Sequence, residues 1–281
     1  MKFSHARAAS RLALLLLATA GLLPLYLVVF FFGRRARRAL SYPFYRCCVF
    51  LSGLSVETTG MKANGAGSMY VSNHVSYLDV PVLAILADGV FVAKSDVRGW
   101  PVFGFLASIA CTVFVSRQAS KVPGERLEIA RRLVGGESIF LFPEGSSSDG
   151  TGVLPFRTGL LSAVQADGEF SVPVQPVSIV YGPARSGQRP LSGGERDYYA
   201  WYGDMDLLPH LWRLFGSTRK TTVSVHFHPS RLSHEFPSRR ALGIWAERTV
   251  AVGIRQALME RTGTPESQAV QDNLLPGSAA A

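Results

Sequence analysis

The chain has 281 residues, 47% hydrophobic and 17% charged, which excludes a disordered polyelectrolyte and suffices for one large α/β domain or two small ones. Its net charge is +9, yet Lys2, Arg7, Arg11, Arg34, Arg35, Arg37, Arg38 and Arg46 all precede the first acidic residue, Glu57, and the remainder balances 21 basic against 20 acidic groups. A nearly neutral body argues against a basic groove that tracks nucleic acid.

Leu12 to Phe32 is an uncharged run of 21 residues, interrupted only by Thr19, Gly21 and Pro24. As a helix it would be about 31 Å long, close to the hydrocarbon thickness of a bilayer. A cleavable signal peptide is the alternative, but the run exceeds a usual apolar region and is followed by Arg34, Arg35, Arg37 and Arg38 instead of a small-residue cleavage site. An uncleaved anchor is therefore expected. The larger basic flank follows the run, which places the body in the cytoplasm. Pro24 leaves a bent helix dipping into one leaflet open as well, with Cys47 to Val56 as its partner. The expected organisation is an anchor with basic flanks over 1–54, a catalytic domain over 55–261 and a flexible tail over 262–281. Cys47 and Cys48 are adjacent and Cys111 is isolated, so neither a disulfide framework nor a paired-cysteine metal site is indicated.

Beyond residue 68, short β-branched or aromatic runs alternate with helical patterns. Met69–Ser72, Val90–Ala93, Thr112–Val115, Ser138–Phe142, Val174–Tyr181 and Thr221–Phe227 read as strands. Val80–Ala87, Val102–Ile109, Gly124–Val134, Gly159–Ala166 and Ser238–Arg261 read as helices. The expectation is an α/β fold, a single domain with a mostly parallel sheet flanked by helices and preceded by the membrane helix. Gly182 to Gly203, rich in Gly, Pro and Arg, is a candidate flap.

Polar groups gather directly after the strands: Asn73-His74 through Asp79, then Lys94, then Ser116-Arg117, then Pro143-Glu144-Gly145-Ser146-Ser147-Ser148. Ligands of parallel sheets bind beyond the carboxyl ends of the strands, so His, Lys, Arg and Glu are delivered to one rim. His74 and Asp79 are five apart, which a regular helix would not bring face to face. With His74 in the loop and Asp79 in the first helical turn, the carboxylate reaches Nδ1 and leaves Nε2 as a general base. The same residues also fit plain helix capping, because Ser76-x-x-Asp79 is a capping-box pattern. The three serines suggest a nucleophile, but the glycine-flanked serine of the hydrolase nucleophile turn is missing. His226 and His228 share a strand face near His234 and Glu235; this spacing is too loose to define a metal site, and none is expected. His210, among Leu211, Trp212 and Leu214, reads as structural.

Taken together, these blocks resemble the lysophospholipid acyltransferase family, over about Val56 to Tyr181. Asn73-His74-x4-Asp79 matches the catalytic HX4D block, and Phe114-Val115-Ser116-Arg117 the second, whose Arg helps hold the acceptor's phosphate. Phe142-Pro143-Glu144-Gly145-Ser146 matches the acceptor-binding third block, and Val172-Pro173-Val174-Gln175-Pro176-Val177 the fourth, which puts Pro176 near the acyl site. The resemblance implies a membrane-bound enzyme of lipid biosynthesis at a bacterial-type inner membrane. It would move an acyl chain from acyl-CoA or acyl-carrier protein to a lysolipid hydroxyl, with no cofactor. His74 and Asp79 would be catalytic, and Arg117, Glu144, Gly145, Ser146, Arg157 and Lys94 substrate-binding; the oxyanion donor stays unassigned, with the Gly145 N–H a candidate from its place at a loop-to-helix turn.

The first acceptor implied is 1-acyl-sn-glycerol-3-phosphate, giving phosphatidic acid. The third block departs from the family, however. Ser147 stands where an Arg is common, which removes a bidentate phosphate donor that Arg157 would have to replace. That departure, with Trp201-Tyr202-Gly203-Asp204 and Leu207-Leu208-Pro209-His210, also looks like the lyso-ornithine lipid acyltransferase branch. A membrane lipid hydrolase using Ser146, Ser147 or Ser148, and a non-catalytic lipid-binding protein, are the readings from other classes.

Overall fold

In the computed structural model, which describes residues 3–63, 67–116, 121–165, 171–182 and 191–262, the apolar run is a helix, α1 (His5–Val29). The Ser4 hydroxyl caps its start by accepting from the Arg7 N–H (3.3 Å). A 3-10 turn at Phe30–Phe32 and Gly33, at φ +88°, redirect the chain into α2 (Arg34–Leu51). The basic residues behind the apolar run therefore open a second helix that docks on the body. Arg34 and Arg38 reach Asp88 at 3.6 and 3.4 Å, and Arg38 also donates to the carbonyls of Ala84 and Ala87, at the end of α3 (Asp79–Leu86). The stretch Cys47–Val56, expected as a membrane partner, divides instead between the end of α2 and an unanticipated strand, β1 (Leu54–Gly60).

Five parallel strands carry the rim: β2 (Met69–Ser72), β3 (Val90–Lys94), β4 (Val113–Val115), β5 (Ile139–Leu141) and β6 (Pro173–Gly182). β7 (Thr221–Phe227) and the short β8 (Arg231–Leu232) pair antiparallel to β6, and β1 runs parallel to β7. The sheet order is β1-β7-β6-β2-β5-β3-β4, mostly parallel as expected. The remaining helices are α4 (Phe103–Ile109), α5 (Val122–Val134), α6 (Gly193–Arg196), α7 (Leu207–Gly216) and α8 (Arg239–Thr262). The helix expected at Gly159–Ala166 is a 3-10 segment, Leu160–Val164. Of the candidate flap, 183–190 lies outside the described residues, as does 263–281 of the tail. The rest of the flap is held down: Leu191, Tyr199 and Ala200 are buried, and the Trp201 N–H donates to the Val75 carbonyl (3.0 Å).

Period-two alternation divides the core between the two faces of the sheet. Tyr70, Phe140, Val177, Ile179 and Tyr181 join the cluster that includes Leu83 of α3 and Leu214 of α7. Met69, Val71, Ile139, Leu141, Val174 and Val180 join the opposite one, closed by Leu242, Ala246, Val250 and Ile254 along one stripe of α8. Buried on both faces, the central strands leave their carboxyl ends as the place where polar side chains meet a ligand.

Candidate active site

The chain leaves β2 at Asn73, whose buried amide continues the ladder after the backbone has turned away. Its Nδ2 donates to the Ile179 carbonyl (2.9 Å) and its Oδ1 accepts from the Ile179 N–H (2.8 Å). The next residue, His74, is thereby aimed over the rim. Its Nδ1 lies 2.8 Å from Asp79 Oδ2, which also accepts from the N–H groups of Val75 (2.7 Å) and Ser76 (3.0 Å). Tyr181 Oη donates to the other oxygen, Oδ1, at 2.8 Å. With donors converging on the carboxylate, Nδ1 is the protonated ring nitrogen and Nε2 carries the lone pair. The His74 side chain is 21% exposed, Asp79 is fully enclosed, and among the described residues no protein group bonds Nε2. Asp79 is also the first residue of α3, and the Leu78 N–H donates to Ser76 Oγ (3.3 Å). The carboxylate thus orients the imidazole and ties down the loop before α3, while no side chain caps the helix at Leu78.

The Phe142 ring stacks on His74 (4.3 Å between centroids, 20° between planes), with Phe91 stacked behind Phe142 at 6.4 Å. This apolar wall fixes the imidazole plane and keeps that side dry. Glu144 follows, 2% exposed and with no close hydrogen bond to either carboxyl oxygen. Burial pushes its carboxyl up to about 8; Asp79 and Glu247 push the same way, and the backbone N–H groups of His74 and Leu154 offset part of the rise. At neutral pH it is therefore mostly protonated, and able to donate as well as accept.

Gly145 adopts φ +71°, and its N–H closes a turn on the Phe142 carbonyl (3.1 Å). That corrects one expectation, because this N–H already has a partner and is not poised as an oxyanion donor. The exposed Arg157 lies over the same turn: a Cβ on Gly145 would stand 3.4 Å from its Cδ and Nε, and the Arg157 N–H donates to the Pro143 carbonyl (2.8 Å). Ser146 is exposed on this loop. Ser148 binds the His74 carbonyl through its N–H (2.9 Å) and Oγ (3.3 Å). Among the described residues, none of Ser146, Ser147 and Ser148 hydrogen-bonds the His74 ring.

Lys94 is half-buried at the end of β3, on the same rim. Arg117 lies outside the described residues; just before it, the Ser116 N–H donates to Glu125 Oε1 (2.5 Å). Pro176 is not at the rim but within the sheet, paired with Val71, its carbonyl accepting from the His228 N–H (3.1 Å). His210 bridges Tyr77 Oη (3.0 Å) and the Ala200 carbonyl (3.1 Å), and burial pushes it down to about 4. The His226 and His228 rings meet edge to face at 4.4 Å, but they bind Thr59 Oγ1 and Ser178 Oγ, each at 2.7 Å. His228 is buried there and not on the surface, and among the described residues no three His, Cys, Asp or Glu side chains gather for a metal.

Asn73, Phe142 and Tyr181 are the site residues that sequence reasoning did not single out. The first two flank recognised motif positions, but nothing in the almost wholly buried pattern of β6 marks Tyr181 as facing Asp79.

The family model described as Acyltransferase matches residues 54–180. The chain is 38% identical over 203 residues to the lyso-ornithine lipid O-acyltransferase of Rhizobium meliloti (strain 1021), covering 70% of this chain and 69% of that protein. It is 37% identical over 233 residues to the protein of the same name from Brucella abortus (strain 2308), covering 80% and 85%. With the 1-acyl-sn-glycerol-3-phosphate acyltransferase of Neisseria gonorrhoeae it shares 31% over 163 residues, covering 57% and 59%. The crystal structure of the 1-acyl-sn-glycerophosphate (LPA) acyltransferase PlsC from Thermotoga maritima superposes with a TM-score of 0.58 at 22% identity, over 89% of this chain and 97% of that one, a likeness of fold.

Proposed function

The chain belongs to the acyltransferase family and is a lysolipid O-acyltransferase, and from that premise we propose that it esterifies the free hydroxyl of lyso-ornithine lipid from an acyl thioester. The observation that carries the chemistry is the 2.8 Å contact from His74 Nδ1 to the enclosed Asp79, with no bond to Nε2 among the described residues and the His74 side chain partly exposed. Nε2 takes the proton of the acceptor hydroxyl as its oxygen attacks the thioester carbonyl. The C–S bond then breaks, and the imidazolium returns the proton to the departing thiolate of CoA or carrier protein. Asp79 holds the tautomer and balances the transient positive charge. The thioester is already activated, so no acyl-enzyme is needed. On this reading Glu144, Arg157 and Lys94, with Arg117 by its motif, hold the acceptor headgroup.

Two observations support this acceptor. The lyso-ornithine lipid relatives from Rhizobium meliloti and Brucella abortus align over more of both chains than the Neisseria gonorrhoeae glycerol-phosphate relative does, and Ser147 cannot replace a bidentate phosphate donor. Membrane attachment through α1 accords with an apolar helical stretch from His5 to Phe32, on which Leu14, Leu17, Leu25, Val28, Phe31 and Phe32 are exposed. The Arg34–Arg38 end then faces the cytoplasm.

Purified full-length protein should transfer labelled acyl chains to lyso-ornithine lipid at least tenfold faster than to 1-acyl-sn-glycerol-3-phosphate with the same donor. The reverse preference would reassign the acceptor. Folded His74→Ala should lose transfer to both, and retained transfer would remove the mechanism. Alanine at Ser146, Ser147 and Ser148 together should leave transfer measurable, whereas its abolition with hydrolysis by the unmodified protein would favour the hydrolase.

A further inference from the structure

We infer that Tyr181 is a positioning residue for the His74–Asp79 pair, its hydroxyl fixing the plane of the Asp79 carboxylate from the sheet side. This rests on the proposed role of that pair. The three other donors to Asp79, His74 Nδ1 and the N–H groups of Val75 and Ser76, all converge on Oδ2 and all belong to the short segment leading into α3. Turning about the Cβ–Cγ bond would carry Oδ2 off these donors as it swings Oδ1 away, so a further anchor on Oδ1 stiffens the same rotation from outside that segment. Among the described residues Tyr181 alone engages Oδ1, at 2.8 Å, and it comes from β6, a different element and the hydrogen-bonded neighbour of β2.

The phenol is itself well held. Tyr181 is buried, its ring stacks on Tyr199 (6.2 Å, 18°), and two residues earlier Ile179 is clasped by the Asn73 amide. One strand therefore sets both ends of the motif: the backbone that launches His74 and the carboxylate that orients its ring. During transfer the imidazole gains and loses a proton at Nε2 while its Nδ1–H must stay on Oδ2. A carboxylate free to turn would let that alignment drift at the moment the positive charge forms, and small misplacements of a base carry large rate penalties.

Tyr181→Phe removes the hydroxyl and keeps the ring. In purified full-length protein we expect kcat to fall about tenfold to a hundredfold, with KM for acceptor and donor within about twofold of the unmodified values. A role confined to packing would leave kcat unchanged, because the stacked ring remains; kcat within twofold in folded Tyr181→Phe overturns the inference. If Tyr181→Phe does not fold, 4-fluorophenylalanine at 181 fills the hydroxyl's volume without donating, and the same drop in kcat is expected. The double variant with His74→Ala separates this inference from the reading beneath it. Once His74 is gone, Tyr181→Phe should cost nothing more, and a further tenfold loss would mean that Tyr181 acts elsewhere. Wild-type transfer by His74→Ala alone would instead remove the proposed mechanism.

Discussion

Asn73 shows how a polar side chain permits a catalytic loop to leave a buried sheet. Its amide supplies one donor and one acceptor to Ile179, groups that would otherwise be orphaned where β2 ends before β6 does. Asn73→Ala strands a buried N–H and a buried C=O, each costing about 1–3 kcal/mol, so the protein should lose about 2–6 kcal/mol, read as a lower urea midpoint at unchanged slope. Asn73→Asp should be worse, because a carboxylate oxygen would then face the Ile179 carbonyl; an unchanged midpoint in both would contradict the account. His74 and Asp79 were legible in the sequence because their spacing makes sense only for a loop residue and a first-turn residue, and the chain builds that arrangement. Tyr181 and Phe142 were not, because their contribution is direction, and direction across a strand buried on both faces leaves no alternation to read. The Gly145 N–H, a candidate oxyanion donor in the sequence, meets the Phe142 carbonyl: a glycine at a loop turn advertises backbone freedom, but not which carbonyl its N–H will meet.

At the scale of elements, two helical glycines carry opposite predictions. In isolation Ala is the better helix former by about 1 kcal/mol. Gly124 in α5 has nothing within 4 Å of where a Cβ would stand, so Gly124→Ala should stabilise by about 0.5–1 kcal/mol. Gly253 in α8 sits against a polar knot, where a Cβ would fall 2.4 Å from Ser178 Oγ and 2.5 Å from His228 Nε2. Ser178 Oγ donates to the Val250 carbonyl (3.1 Å), so the clash would separate α8 from β6 at its tightest approach. Gly253→Ala should therefore destabilise by about 1–3 kcal/mol, and the two thermal midpoints should move in opposite directions. The strands of the parallel block were legible as short β-branched or aromatic runs set between helical patterns. β1 was not: it is an edge strand, Leu54 is its one buried side chain, and Glu57, Thr58 and Thr59 carry the solvated character of an edge. α2 was hidden because its first turn is so basic that it resembles a flank of the membrane run, when two of those arginines in fact clasp Asp88.

Across the whole molecule, three buried groups set how stability responds to pH, and they oppose one another. Burial, with Arg213 acting the same way, pushes His210 down from 6.5 to about 4; burial, with His226, pushes His228 down to about 3. Below pH 6.5 the unfolded chain gains protons at both that the folded chain does not, so stability drains away as pH falls toward 4. Burial raises Glu144 from 4.5 to about 8, which has the contrary effect. Its contribution is whole below pH 4.5 and is lost as pH rises toward 8, because the unfolded carboxyl ionises while the folded one stays protonated. Between about pH 4.5 and 6.5 the unfolded state therefore binds two extra protons and the folded state one, and stability rises with pH by about 1.4 kcal/mol per unit. Between about 6.5 and 8 only the Glu144 imbalance remains, and stability falls at about the same rate. A maximum near pH 6.5 should appear in urea midpoints taken from pH 5 to 8. Glu144→Gln should flatten the alkaline side and steepen the acid side about twofold, since the opposing proton is gone. An alkaline decline that survives Glu144→Gln would show that the carboxyl beside the catalytic pair is not the protonated group that its burial implies.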